Sequence, residues 1–360
     1  MLKKLFFTLI ILTSGLLYSN NEEHSTETKN TEENVDIAKV AFEHILDSHY
    51  WHLWGEGHDA VALPLPCIVY SNTRGLMFFS SSAFEHGTKS YKKLKIVENQ
   101  IVLDESDEAE EFEKADEDVI LGTKKEKIYD FSITKNVLQL IISAIILTLM
   151  FTSVAKAYRK QGVNSAPKGI QSLLEPVILF IRDEIARENI PASRADRYVP
   201  FLLTVFFIIL INNLFGLIPI SANVTGNIAF TFTLAFIVLV VVHLKANKNY
   251  WKHILMPPAP VALWPILVPI EIIGIFTKPF ALMIRLFANI TAGHIIVISL
   301  VGLIFIFKTV WISPVSIFFG VFIGLLETFV AFLQAYIFTL LTSLYIGGAL
   351  EEHHHEAEHH

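Results

Sequence analysis

Long runs of apolar residues fill the last two thirds of the chain. They cover residues 133–154, 198–219, 228–244, 261–307 and 315–347. A helix needs about 20 mainly apolar residues to cross a hydrocarbon core about 30 Å thick. The first three runs have about this length, so the pattern predicts a polytopic membrane protein built from helices.

Basic residues follow the first and third of these runs, while the loop at 221–227 carries no charge. Positive residues accumulate in cytoplasmic loops, so the chain before the first span is expected outside the cytoplasm. Between the first two spans, residues 171–196 alternate apolar and charged side chains and are too charged to cross a membrane. We predict an amphipathic helix there, lying on the cytoplasmic surface. The basic residues are Lys156, Arg159, Lys160 and Lys168, then Lys245, Lys248 and Lys252.

The last two runs are too long to stand upright in a bilayer. As helices they would be roughly 70 and 50 Å long at 1.5 Å per residue. The first run is either two short helices that turn near Pro279 or one tilted helix. Two short helices would cross the membrane twice and put the C-terminus outside. We predict one crossing for each run, which gives a cytoplasmic C-terminus. The predicted fold is all-α, with about five membrane-crossing helices, the last two long and steeply tilted.

The N-terminal third is polar and acidic. Residues 1–19 have the basic start and short apolar core of a secretory signal peptide, with an uncleaved anchor as the alternative. Residues 20–130 are predicted to form a small external region, partly disordered, with short strands at 63–70, 75–79 and 95–102. The aromatic segment 47–54 carries His49 and His52, but no ligand spacing is diagnostic of a metal site, so we expect an interfacial aromatic belt or a small packed unit. The role of this region does not follow from the sequence.

Composition changes this picture little. The chain is 52% hydrophobic, carries a net charge of −7 and has one cysteine, so no intrachain disulfide forms. It has no phosphate-binding glycine loop and no zinc-type motif. We therefore expect no active site of its own, no cofactor, no metal and no nucleic-acid partner. Residues 131–350 form the predicted membrane domain, and the His/Glu-rich tail 351–360 is assigned no function.

One charged residue lies deep in the fourth apolar run. Arginine keeps its proton at any accessible pH, and placing it at membrane depth costs from ~3 to well over ~10 kcal/mol. Arg285 is tolerated if it faces a water-filled path or a carboxylate, whereas the alternative is that it extends to the interface. On a regular helix, Glu271, Lys278 and Asn289 lie on the Arg285 face, and His294 lies about half a revolution away.

The last apolar run carries two polar residues, Glu327 and Gln334. They are seven positions apart, so a helix places them nearly on one face. Polar residues in such a helix either bond a neighbouring helix or serve transport. The paired Asn212 and Asn213 of the second span either line water or bond a neighbouring helix.

Three segments resemble motifs of one family. They are residues 284–294 (IRLFANITAGH), 333–338 (LQAYIF) and 213–219 (NLFGLIP). In sequence and in order they are similar to subunit a of the F-type rotary ATP synthase, the proton-channel stator of that complex. The resemblance covers about residues 131–350.

The resemblance implies a role for each polar residue of the last two helices. Arg285 would face the carboxylate of the rotor ring, with Gln334 and Asn289 positioning it. His294 and Glu327 would belong to an external half-channel; many bacterial members carry this acid and histidine in the opposite arrangement, whereas mitochondrial members share the order seen here. Glu271 would belong to a cytoplasmic half-channel. Gly216 stands where some members have an acid, so that loop is not expected to relay protons.

The resemblance also implies partners and a location. The chain would contact the rotor ring of subunit c, the peripheral-stalk subunit b and membrane lipids, and it would act on the soluble ATPase sector indirectly. It would be a multi-pass protein of the bacterial inner membrane. Sodium in place of proton coupling stays open, because the ion-binding carboxylate belongs to the ring.

Two other functions are compatible with parts of the sequence. A proton-coupled secondary transporter would also use intramembrane Arg, Glu and His, but it is expected to show inverted repeats and a site between broken helices. A membrane-anchored binding protein would need no buried charge in its spans, which Arg285 and Glu327 contradict.

Overall fold

A small β region precedes a bundle of helices. The computed structural model describes residues 47–54, 61–97, 99–104, 127–162, 166–218, 221–257, 259–307 and 311–350. The predicted signal peptide, residues 105–126 and the His-rich tail lie outside these residues.

The β region consists of three small antiparallel sheets. The described strands are β1 (Tyr50–Trp54), β2 (Val61–Pro64), β3 (Pro66–Ser71), β4 (Gly75–Ser80), β5 (Leu94–Val97), β6 (Gln100–Leu103) and β7 (Ile128–Asp130). β1 pairs with β2, β5 pairs with β6, and the third sheet has the order β4-β3-β7. The core of the whole β region contains Cys67, Val69, Met77, Phe84 and Leu94.

Two of the predicted strands were wrong in extent. The segment 63–70 is divided at Leu65, whose backbone N–H bonds the Ser81 hydroxyl at 3.0 Å and whose carbonyl accepts from the Ser81 N–H at 2.9 Å. The segment 95–102 is a hairpin instead of one strand. It turns next to Asn99, which has a φ of +63°, in the left-handed region that asparagine tolerates.

The β region is fixed to the first membrane helix by hydrogen bonds. Asp47 accepts from the Thr134 hydroxyl at 2.7 Å and from the Asn136 backbone N–H at 3.2 Å, so its carboxylate caps a helix start that has no cap of its own. The buried His49 ring bonds the Asp130 carboxylate at 2.8 Å. The sheet therefore ends within a few residues of the membrane helix.

Seven α-helices follow in the described part of the chain. They are α1 (Lys135–Gln161), α2 (Ile170–Phe180), α3 (Ala192–Gly216), α4 (Ile228–Lys245), α5 (Lys248–Leu255), α6 (Trp264–Phe307) and α7 (Ile312–Leu350). Five of these segments, α1, α3, α4, α6 and α7, are long and apolar enough to cross a membrane. The predicted all-α fold with about five membrane helices is confirmed.

The predicted surface helix was wrong in its end point. α2 continues as a π-helix over Ile181–Arg187, and the helix stops before Pro191, which instead precedes the first turn of α3. Proline lacks an N–H and suits a helix start better than a helix interior. The short helix α5 was missed, because its sequence KNYWKHIL was interpreted only as a basic loop.

The two longest helices are α6, with 44 residues, and α7, with 39. At 1.5 Å per residue they are roughly 66 and 59 Å long, so they cross a hydrocarbon core of about 30 Å only when steeply tilted. α6 is continuous through Pro279. The alternative of two short helices that turn near this proline is therefore wrong.

The end of α7 is attached to the loop between α4 and α5. The Asn247 backbone N–H donates to the Ala349 carbonyl at 2.9 Å, and its side-chain amide donates to the Leu350 carbonyl at 2.7 Å. A Cβ at Gly347 would overlap the Asn189 carbonyl, so only glycine permits this contact. The end of α7 thus lies on the same side as the basic end of α4.

We predict that Asp130→Asn destabilises the β region by roughly 1 kcal/mol, because a neutral amide replaces a charged hydrogen-bond acceptor. Burial raises the pKa of Asp130, but hydrogen bonds from His49 and Ser132 together lower it below its usual value. With a depressed folded-state pKa, the stabilisation is present above about pH 3.9 and is lost as the pH falls through the folded-state pKa. Hydrogen exchange of the β3 and β7 amides measures the change.

Lys89→Gln is the control for Asp130→Asn. It breaks an exposed ion pair with Glu85, and exposed pairs contribute little. Equal protection of β3 and β7 in wild type and Asp130→Asn would contradict the role of the His49–Asp130 pair.

Candidate functional site

One side of the mainly apolar helix α6 carries Glu271, Lys278, Arg285 and Asn289. Arg285 lies near the middle of α6 and is half-buried. It forms no ion pair with any of the described residues. Asn289, one turn further along, bonds Gln334 of α7, so Arg285 lies near that neighbouring helix.

Asn289 and Gln334 join α6 to α7 one turn beyond Arg285. The Asn289 amide donates to Gln334 Oε1 at 3.1 Å. Gln334 is 1% exposed, and its Nε2 has no hydrogen-bond partner among the described residues. The structure therefore brings together these two predicted site residues beside Arg285.

A second polar group lies further along α6, and we call it the Glu327 group: Glu327, His294 and Asn223. The Glu327 carboxylate occupies the space above Gly293, where any Cβ would overlap it. His294 is the next residue after Gly293. Glu327 of α7 therefore contacts α6 at the residue before His294. A Cβ at Gly216 would lie 3.8 Å from His294 Nε2 and 3.5 Å from Asn223 Oδ1. The end of α3 therefore approaches the same group.

The two asparagines of α3 bond neighbouring helices. The Asn212 amide donates to the Ser143 hydroxyl of α1 at 3.1 Å, and the Asn213 amide donates to the Ala331 carbonyl of α7 at 3.2 Å. Ala331 is fully buried and lies one turn from Glu327. Of the two interpretations offered by the sequence, the structure supports bonds between helices.

A cavity lies at the other end of the polar side of α6. It has a volume of about 420 Å³, and its polar lining includes His243, Tyr250, Glu271, Lys278 and Tyr345. We call it the Glu271 cavity. The Lys278 ammonium lies 5.7 Å from the centre of the Tyr345 ring, within reach of a cation–π contact.

Arg285 thus separates two polar regions. Glu271 precedes it by fourteen positions and His294 follows it by nine, which correspond to roughly 21 and 14 Å along a helix. The six predicted site residues do not form one cluster. They divide into the Glu327 group, the Asn289–Gln334 pair beside Arg285, and the Glu271 cavity.

Sequence reasoning missed His243, Tyr250 and Tyr345, which come from α4, α5 and α7. None belongs to a motif, and each stands in a segment whose pattern indicated only a span or a basic loop. The signal that was available is the position of His243 at the end of an apolar helix, seven residues before Tyr250.

Comparison with known proteins identifies the family. The profile described as ATP synthase A chain matches residues 137–347, and a profile described as a domain of unknown function (DUF8433) matches residues 40–131. ATP synthase subunit a of Chloroherpeton thalassium is 50% identical over 239 residues, which are 64% of this chain and 71% of that protein. ATP synthase subunit a 2 of Prosthecochloris aestuarii is 47% identical over 236 residues, 64% of this chain and 72% of that protein.

The apolar helices and these similarities define an integral membrane protein that is a component of an ATP synthase complex. The chain belongs to the ATP synthase subunit a family, as its motifs predicted. The family supports a proton-translocating stator role in an F-type ATP synthase.

We predict that Gly293→Ala lowers the stability of the purified chain in detergent by about 1–3 kcal/mol, because its methyl group must displace Glu327. Gly274→Ala is the matched control on the same helix. Its Cβ meets open space, so that variant is expected to be neutral or slightly stabilising. Thermal unfolding compares the two, and equal midpoints would contradict the close approach of Glu327 to Gly293.

Proposed function

We propose that the chain forms two separate proton half-channels against the rotor ring of subunit c, with Arg285 between them. The observation that carries this proposal is the division of the polar residues along α6 into the Glu327 group and the Glu271 cavity. A continuous row of proton-accepting groups would let protons cross the membrane without rotating the ring. A permanently charged residue between two groups blocks such a path.

Proton entry is assigned to the Glu327 group. A carboxylate and an imidazole both gain and lose protons, and histidine does so near neutral pH. The Glu327 carboxylate lies against Gly293, the residue before His294, so we assign both groups to one proton path. From there a proton would reach a carboxylate of the rotor ring.

Arg285 is assigned the charge-pairing step. It cannot relay protons, because arginine does not deprotonate. It attracts a rotor carboxylate that has just lost its proton, and it holds the two half-channels apart. Asn289 and Gln334 orient this region through their hydrogen bond of 3.1 Å. Proton release then proceeds past Glu271 into its cavity.

The orientation of the chain follows from its basic ends. The ends of α1 and α4 carry lysine and arginine, and the end of α7 is bonded to the loop after α4. We assign this side to the cytoplasm. The β region and residues 20–130 are then external, following a signal peptide at 1–19. The membrane domain at 131–350 would contact subunit c and the stalk subunit b in the bacterial inner membrane, and 351–360 would be a solvated tail.

We expect Arg285→Ala to abolish proton-driven ATP synthesis and leave ATP hydrolysis by the soluble sector in place. The reason is that a deprotonated rotor carboxylate loses its counter-charge in a low-dielectric site. Both rates are measured with the whole complex in sealed vesicles. Arg159→Ala, which removes an exposed arginine at the end of α1, is the control and should retain synthesis. Normal synthesis by Arg285→Ala would refute the proposal.

Glu327→Gln is predicted to slow proton entry by about 100-fold, the usual contribution of a positioned acid–base group. The amide keeps the shape of the side chain but cannot carry the proton. Proton flux into vesicles under an imposed potential is the measurement. Glu188→Gln, at an exposed position outside the path, provides a matched control, and an unchanged flux in Glu327→Gln would remove Glu327 from the relay.

A further inference from the structure

We propose that His243 is a proton-transfer residue of the Glu271 cavity and carries protons between Glu271 and the cytoplasmic water phase. This inference rests on the half-channel function proposed above and names a residue of that path outside the sequence motifs. His243 lies at the end of α4 and lines the cavity together with Glu271, which comes from α6. The two residues therefore line one cavity from two different helices.

The hydrogen bonds of His243 determine which nitrogen can take up a proton. Its Nδ1 lies 2.7 Å from the Leu239 backbone carbonyl, and a carbonyl oxygen only accepts. Nδ1 therefore carries a hydrogen in either charge state. Nε2, 3.2 Å from the Tyr250 hydroxyl, accepts from that hydroxyl when the ring is neutral. It becomes the donor when a proton arrives, so the Leu239 bond is kept in both states.

Tyr250 bonds His243 and lines the same cavity as Glu271. Burial and the negative charge of Glu271 both raise the pKa of the Tyr250 hydroxyl, so this hydroxyl stays protonated while it bonds the imidazole. The His243 ring also meets the rings of Tyr250 and Trp251, each with its centre 5.8 Å away. These contacts hold the imidazole at the cavity wall.

Other charged groups surround the cavity and contribute to any pH profile. Glu271 is the acid among them, while the cations are on α4, α5 and α6. The titratable groups that line the cavity with His243 are Tyr250, His253, Glu271, Lys278 and Tyr345. Lys245 of α4 and Lys248 and Lys252 of α5 stand on the neighbouring turns. Rescue by imidazole distinguishes His243 from the lysines, the tyrosines and the carboxylate of this set, and the choice of the substituted position distinguishes it from the other imidazole, His253.

His243→Gln tests the proposal in the whole complex reconstituted in vesicles. Glutamine can still bond Leu239 and Tyr250 but does not titrate. We expect ATP-synthesis-coupled proton flux near neutral pH to fall about tenfold. This is less than the ~100-fold effect of a sole acid–base group, because solvent in the open cavity carries part of the flux. Added imidazole, which fits a cavity of about 420 Å³, should restore the rate of the variant and leave wild type unchanged.

The controls separate this inference from the half-channel function. Lys252→Gln removes an exposed charge from the short helix α5, outside the residues that line the cavity, and should retain wild-type flux without a response to imidazole. A wild-type flux in His243→Gln, or a loss that imidazole does not restore, would overturn the role of His243. If Arg285→Ala also sustained synthesis, the half-channel proposal itself would fail. If Arg285→Ala alone were inactive, only the His243 assignment would fail.

Discussion

The cost of a permanent charge at membrane depth governs the rest of this structure. Arg285 cannot shed its proton, and none of the described residues forms an ion pair with it. Such a residue is retained only where it meets water or an opposing charge from outside the chain. Arg285 stands near the middle of the longest helix, and the Asn289–Gln334 amide pair joins that helix to α7 one turn away.

Close packing of α7 makes that placement possible. Ala331, Gln334, Ala335 and Phe338 are almost completely buried, and the two alanines let neighbouring helices approach closely, as small residues do in membrane interfaces. The Asn213 amide bonds the α7 backbone at Ala331, and Gly347 allows backbone contact at the other end. α7 is thus fixed at both the Glu327 group and the side of the Glu271 cavity.

Most of the membrane fold could be predicted from the sequence, because apolar run length is a strong signal. The observed bounds of α4 and the continuity of α6 agree with the pattern of apolar residues. The resemblance of residues 284–294 to a family motif led to the correct family. The boundary at Pro191 and the helix α5 were missed, since short amphipathic segments between spans have no length signal. His243 and Tyr345 could not be found in this way, because their proximity to Glu271 and Lys278 arises from packing of helices far apart in sequence.

The proposal of two separate aqueous paths is tested most directly by the accessibility of introduced cysteines. In a Cys67→Ser background, Gly216→Cys reports on the Glu327 group and Gly348→Cys reports on the Glu271 cavity. The native thiol is buried, and burial raises its pKa to about 11, so it reacts poorly in any case. A small membrane-impermeant thiol reagent should label Gly216→Cys only from outside and Gly348→Cys only from the cytoplasmic side. Labelling of both positions from the same side would contradict two half-channels.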